Sequence, residues 1–176
     1  MTSGASLQGV VVWFTGLPSS GKTSLAGAVA RALQGRGVAS CTLDGDEVRA
    51  CLRPEPGYGE VERELFYTTL GNLAAMLARQ GFVVLVPATA NRRLFREHAR
   101  GVAPRFVEVH VSTPEPECVR RDAKGLYGGA RAGRAQLLPG RGALYEPPLS
   151  PDVVAPSGAD AQAVGAVLAA LEPILS

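Results

Sequence analysis

Gly16-Leu17-Pro18-Ser19-Ser20-Gly21-Lys22-Thr23 is the stretch from which the rest of this 176-residue chain is read. The octet fits G-x-x-x-x-G-K-[ST], the phosphate-binding loop, and both flanks agree with it. Val10-Val11-Val12-Trp13-Phe14-Thr15, just before it, is β-branched and aromatic, as buried strands are. Ser24 to Leu33, just after it, places Leu25, Ala26, Ala28, Val29, Ala30 and Leu33 on an apolar helical face. A loop of this kind turns its main-chain N–H groups toward phosphate oxygens, and the helix start adds a favourable dipole. Gly16 through Ser24 are therefore the candidate nucleotide cradle. Lys22 reaches the terminal phosphates as a point charge, and the Thr23 hydroxyl is the candidate Mg²⁺ ligand. A chance glycine-rich turn is the plain alternative, and the matching flanks argue against it. The expectation is a nucleoside triphosphate bound with Mg²⁺.

Composition narrows the partners. Apolar residues make up 46% of the chain and charged residues 19%, with a net charge of +2, the balance of an ordinary globule. The arginines are dispersed, with no dense basic block, so nothing points to nucleic acid. Cys41, Cys51 and Cys118 form neither a C-x-x-C nor a ligand cluster, and their odd number makes no disulfide framework. No apolar run is long enough for a membrane span, and Met1 to Ser6 lacks the pattern of a signal peptide. A cytoplasmic location is the expectation. His110, inside a strand-like run, reads as structural rather than catalytic.

Strand and helix patterns alternate along the chain. Val38 to Leu43 reads as a second strand and Glu47 to Leu52 as a short helix, broken by Pro54 to Gly59. Glu60 to Gln80 reads as a long helix stopped by Gly81, and Phe82 to Val86 as a third buried strand. A helix near Arg92 to Arg100 leads to a strand over Arg105 to Val111. Thr113 is then the expected cap of a helix that opens at Pro114. Lys124 to Pro151 is rich in Gly, Pro and Arg with weak periodicity, as disorder or a mobile lid would be. Asp152 to Val154 reads as a last strand and Asp160 to Leu171 as a last helix ended by Pro173. The pattern predicts one domain over 1–176, with a flexible tail at 1–8. Its fold class is a three-layer α/β/α P-loop nucleoside triphosphate hydrolase fold, with a parallel five-stranded sheet and a lid at 124–151. Ligands of such sheets bind at the carboxyl ends of the strands.

Asp44-Gly45-Asp46 falls at one of those ends. Phosphoryl transfer needs a carboxylate to take the attacking hydroxyl's proton and uses another to order the metal and its waters. Asp46 is the candidate base and Asp44 the candidate for the metal's outer shell. A turn that caps the next helix explains the same residues. Arg49 is either an anion clamp or a surface arginine. Arg63 lies early in its helix, where the dipole does not favour a cation, which suggests another task. Tyr58, between glycines, either stacks on a flat ring or anchors its loop.

With these landmarks in place, the chain resembles the adenylylsulfate (APS) kinases, which phosphorylate the ribose 3′-hydroxyl of APS with MgATP. The resemblance runs from Val11 to about Leu149. It is carried by Trp13 to Leu17, Leu43-Asp44-Gly45-Asp46-x-Val48-Arg49, Gly57-Tyr58, Arg63-Glu64 and Phe106 to Val111. Arg121-Asp122-x-Lys124-Gly125-Leu126-Tyr127, Ala130 to Gly133 and Tyr145-Glu146-x-Pro148 complete it. The resemblance implies that Asp46 is the base, that Arg49 and Arg63 hold the acceptor, and that Tyr58 stacks on its adenine. It also implies a lid that brings Arg121 and Lys124 to the nucleotide, and a homodimer as the candidate assembly. Asp44, Asp46, Arg49, Tyr58, Arg63 and Thr89 are the expected acceptor-binding set.

Departures from the family pattern cluster on the acceptor side. Phe66 replaces an asparagine, and Thr68 and Thr69 replace two arginines. Pro87-Ala88-Thr89-Ala90-Asn91 replaces S-F-I-S-P, while Gln136 and Leu138 replace a lysine and a phenylalanine. Each charge-assisted hydrogen bond lost from an anion removes about 1.5–3 kcal/mol of binding. Three readings follow: an APS kinase, a related kinase for another small anionic acceptor such as cytidine diphosphoramidate, or a nucleotide-binding protein without transfer activity. A GTPase is disfavoured because the chain carries no N-K-x-D segment.

Overall fold

Every residue of β1 (Val10–Thr15) is inaccessible to solvent, so this strand is the centre of the molecule. A computed structural model describes residues 9–122, 125, 138–140, 143–156 and 158–176. Strands β2 (Ser40–Thr42), β3 (Val83–Pro87), β4 (Phe106–Val111) and β5 (Val153–Ala155) join β1 in one parallel sheet ordered β2-β3-β1-β4-β5. Register pairs Val12 with Leu85 on one side and with Val107 on the other. The helices are α1 (Lys22–Gly35), α2 (Gly45–Cys51), α3 (Glu60–Arg79), α4 (Arg93–Val102), α5 (Glu115–Arg120) and α6 (Ala161–Leu175).

The period of two along β1 divides the interior into two cores. Val10, Val12 and Phe14 pack with Leu25, Val29 and Leu33 of α1 and with Val167 and Leu171 of α6. Val11 and Trp13 point to the other face, against Phe66, Leu70 and Ala74 of α3 and Phe95 and Ala99 of α4. This is the α/β/α sandwich expected from the sequence. It brings the carboxyl ends of β1, β2 and β3 to one edge.

Several boundaries differ from expectation, each for a local reason. Strand β2 is shorter than Val38 to Leu43 because it is an edge strand with one neighbour. Its pairing nonetheless extends through Val83 N–H to Ala39 O (3.0 Å) and Leu43 N–H to Leu85 O (2.8 Å). Thr113 does not cap α5: Pro114 occupies the cap position, and the buried Thr113 hydroxyl donates to the Ser20 carbonyl at 2.8 Å. That bond ties β4's exit to the phosphate-binding loop. Pro173 does not end the last helix, which runs on to Leu175. Asp160 caps α6, its carboxylate accepting from Ala163 N–H at 2.7 Å.

The arm from Ala143 to Pro148 within the expected loop is pinned rather than loose. Glu146 N–H donates to Asn91 O (2.7 Å), Asn91 Nδ2 to Leu144 O (2.8 Å) and Arg93 N–H to the Glu146 carboxylate (2.8 Å). Most of the remaining lid span, 123–124, 126–137 and 141–142, lies outside the described residues, as does the tail at 1–8.

Candidate active site

The phosphate-binding loop follows directly from β1, and its shape rests on two glycines. Gly21 caps α1 at φ +102°, a left-handed conformation that L side chains rarely adopt. At Gly16 the constraint is space, because a Cβ there would stand 2.4 Å from the Val111 carbonyl oxygen. Lys22 Nζ donates back across the loop to the carbonyls of Gly16 (3.1 Å) and Leu17 (2.7 Å). Its ammonium is therefore held in the throat of the loop. Ser20 is fully buried, and among the described residues its Oγ has no hydrogen-bond partner.

The loop opens into a cavity of about 960 Å³. Pro18, Ser19, Gly21, Lys22, Thr23 and Ser24 line one end. Asp44, Asp46, Arg49, Tyr58, Arg63 and Thr89 line the other, together with Phe66 and Tyr67. Arg121 also lines it, its Nη1 reaching within 3.8 Å of where a Cβ on Gly21 would stand. Its Nε donates to Glu117 at 2.6 Å. Two arginine partners, Arg120 foremost, hold the Glu117 carboxyl down at about 2. Gly16, Leu17 and Ser20 stand behind the lining, as carbonyl acceptors and packing. Lys124 lies outside the described residues.

Asp44 caps the following helix, as one of its two sequence readings had it, and also reaches the phosphate-binding loop. Its Oδ1 caps α2 by accepting from Asp46 N–H (2.9 Å), and its Oδ2 accepts from the Thr23 hydroxyl (2.8 Å). Asp46, the second residue of α2, is exposed and lines the cavity.

Arg49 is no surface residue; it is 3% exposed. Its Nη1 donates to the carbonyls of Pro56 and Gly57, and its guanidinium lies over the rings of Tyr58 and Phe66. Arg63 is buried too, and burial lowers its pKa. Its Nε donates to Tyr58 O (2.7 Å) and its Nη1 to Asn91 Oδ1 (3.2 Å). Tyr58 remains half exposed. The backbone carbonyl of Thr89 accepts from Thr15 Oγ1 at 2.6 Å.

Sequence reasoning passed over the supports of this site. Arg96, 2% exposed, donates to Glu108 (2.8 Å), to the Ala90 carbonyl and to Glu146 O (2.7 Å). Asn91 bridges Arg63 to Leu144. Tyr145, whose phenol burial pushes up, contacts Thr15 Oγ1 at 3.2 Å. The Tyr145-Glu146-x-Pro148 landmark was the available signal, but without tertiary contacts it named no role. His110 lies 6.5 Å from the Tyr145 ring, centroid to centroid, on the sheet and away from the cavity lining. The three cysteines are free thiols. Among the described residues no cluster of His, Cys, Asp or Glu could hold a metal by itself, and no helix is long and apolar enough to cross a membrane.

Comparison with known proteins agrees with this geometry. The family described as adenylylsulphate kinase matches residues 8–156. The adenylyl-sulfate kinase of Synechococcus sp. (strain JA-2-3B'a(2-13)) is 45% identical over 149 residues, 85% of each chain. The Mycobacterium tuberculosis APS kinase CysC, solved with AMPPNP and APS, superposes with a TM-score of 0.88 at 37% identity, covering 94% of this chain and 98% of that one. A hexameric APS kinase from Thiobacillus denitrificans is 27% identical with a TM-score of 0.67, over 96% of this chain and 29% of that longer one. With its P-loop, its D-G-D turn and a match over most of its length, this chain belongs to the adenylylsulphate kinase family.

Proposed function

We propose that this chain, working as one kinase domain, transfers the γ-phosphoryl group of ATP to the 3′-hydroxyl of adenylyl sulfate. The observation that carries the reading is one cavity with the lysine and threonine of a phosphate-binding loop at one end, and a carboxylate, two buried arginines and an open tyrosine ring at the other. A pure nucleotide binder needs only the first end.

In this reading Lys22 neutralises charge on the phosphoryl group in transit. Asp46 takes the proton of the acceptor hydroxyl as that oxygen bonds to the γ-phosphorus. The bond from phosphorus to the bridging oxygen breaks, and ADP leaves with those electrons. Arg63 and Arg49 order the acceptor end, and Tyr58 offers a ring face to its base. Arg121, beside Gly21, holds the nucleotide from the side of the lid, to which we also assign Lys124.

The residues fit Mg²⁺ as well. Thr23 spends its proton on Asp44, which leaves its oxygen lone pairs for a hard cation, and Asp44 adds a carboxylate behind it. When bound, Mg²⁺ supplies charge neutralisation on the phosphate oxygens. Cytoplasmic residence and a homodimer complete the proposal. Self-assembly has support in the hexameric relative, and sedimentation of the purified chain tests it.

The deciding experiment is transfer from γ-labelled ATP to adenylyl sulfate, with Asp46→Asn alongside. The variant is expected to lose roughly 10²–10⁴-fold in kcat while ATP affinity changes little. A kcat near wild type removes Asp46 from its role. Phe66, Thr68 and Thr69, which replace an amide and two cations, favour including cytidine diphosphoramidate among the acceptors. Phosphorylation of that compound in preference to adenylyl sulfate replaces the acceptor and leaves the kinase reading standing.

A further inference from the structure

The turn at Pro56, Gly57 and Tyr58 is held by Arg49 and Arg63, for neither of which the sequence predicts a structural role in this turn. Arg49 Nη1 donates to Pro56 O at 2.9 Å and to Gly57 O at 2.6 Å, while Arg63 Nε donates to Tyr58 O at 2.7 Å. Three consecutive carbonyls thus rest on guanidinium groups. The Arg49 guanidinium carbon also lies 3.9 Å from the centroid of the Phe66 ring and 4.5 Å from that of Tyr58. Phe66 is 2% exposed yet lines the cavity. Positions 63 and 66 are three apart on α3, so the helix presents a cation and a ring on one face.

A guanidinium is planar, stacks on ring faces and forks to carbonyls, whereas an ammonium is a hydrated point charge. Attraction between a cation and a ring face strengthens as water is removed, and Arg49 is almost fully desolvated. Where the resemblance leads one to expect an asparagine that touches the acceptor, this chain has a ring that touches Arg49 instead.

We propose that Phe66 is a positioning residue of the acceptor site. It holds the Arg49 guanidinium, which holds the Pro56 to Tyr58 turn, which sets the Tyr58 ring that walls the acceptor end of the cavity. The acceptor therefore meets a wall set in advance, and binding does not spend free energy on ordering it. The inference rests on the acceptor reading given above, and its first readout needs no acceptor.

Hydrogen exchange of the Gly57 and Gly59 amides, both bonded to the Glu62 carboxylate, reports the order of the turn in the full chain without nucleotide. Phe66→Leu is expected to speed their exchange about tenfold while the later turns of α3 keep wild-type protection. Phe66→Tyr, which keeps the ring face, is expected to stay within about twofold of wild type. Arg49→Lys, which leaves the core ring in place, is expected to reproduce the Leu variant. In turnover, Phe66→Leu should raise the KM for adenylyl sulfate about tenfold, with a smaller fall in kcat, and Phe66→Tyr should restore it. Unchanged exchange in Phe66→Leu, faster exchange spread evenly along α3, or an unmoved acceptor KM in Phe66→Leu overturns the proposal. Wild-type protein that transfers nothing to adenylyl sulfate removes the acceptor reading alone, and the exchange comparison still decides this one.

Discussion

Thr23 Oγ1 donates to Asp44 Oδ2 at 2.8 Å, so the residue that ends the phosphate-binding motif is bonded to the residue that caps α2. Asp44→Asn should separate the two tasks. An amide oxygen can still cap the helix, so the melting temperature should stay close to wild type. The Thr23 contact then meets a neutral amide, and turnover should fall and demand more Mg²⁺. Asp44→Ala loses both tasks and should also cost about 1 kcal/mol or more in stability. Denaturant melts with a Mg²⁺ titration of activity check both variants.

Gly16 has a separate constraint. A methyl group there would press on the Val111 carbonyl and on Ser20 Oγ. Gly16→Ala should destabilise the fold by about 1–3 kcal/mol and displace the loop that carries Lys22. Titration calorimetry should find ATP affinity sharply reduced, and an unchanged affinity would count against the crowding.

Glu108 is the anionic partner of buried Arg96, which also braces Ala90 and Glu146. Glu108→Ala would leave Arg96 buried without its counter-charge and should cost about 3–5 kcal/mol. Glu108→Gln keeps an acceptor and should cost less. Equal losses in urea melts of the two variants would show that charge has no part in the pairing.

Burial, helped by the Arg96 charge and opposed by Glu108, holds the His110 imidazole below its ordinary value of 6.5. The unfolded chain therefore binds a proton at pH values where the folded chain does not. This contribution to stability is complete above that ordinary value and is lost as pH falls from it toward the lowered folded one. His110→Gln should flatten the fall in melting temperature between about pH 7 and 5 relative to wild type. Parallel curves for the two proteins would contradict it.

Five parallel strands, their helices and the phosphate-binding loop were legible from short-range pattern, because strand burial and helical spacing repeat within a few residues. The edges were less legible. Pro173 sits inside the last turn of α6, and Thr113 stands one residue before the cap of α5, where its hydroxyl donates to the distant Ser20 carbonyl. Arg49 could not be placed from sequence, because its partners are two carbonyls and two rings that meet only once α2 packs against α3.

The order of residues alone determined that a triphosphate cradle follows a buried strand, and that carboxylates stand at the end of the next one. Both are properties of contiguous chain. Tertiary structure alone decided that Asn91 joins Arg63 to the arm at Leu144, that Arg96 braces three segments, and that Phe66 lies against Arg49. Such contacts link residues far apart in the chain, and their geometry exists only after the two cores on either side of β1 have closed.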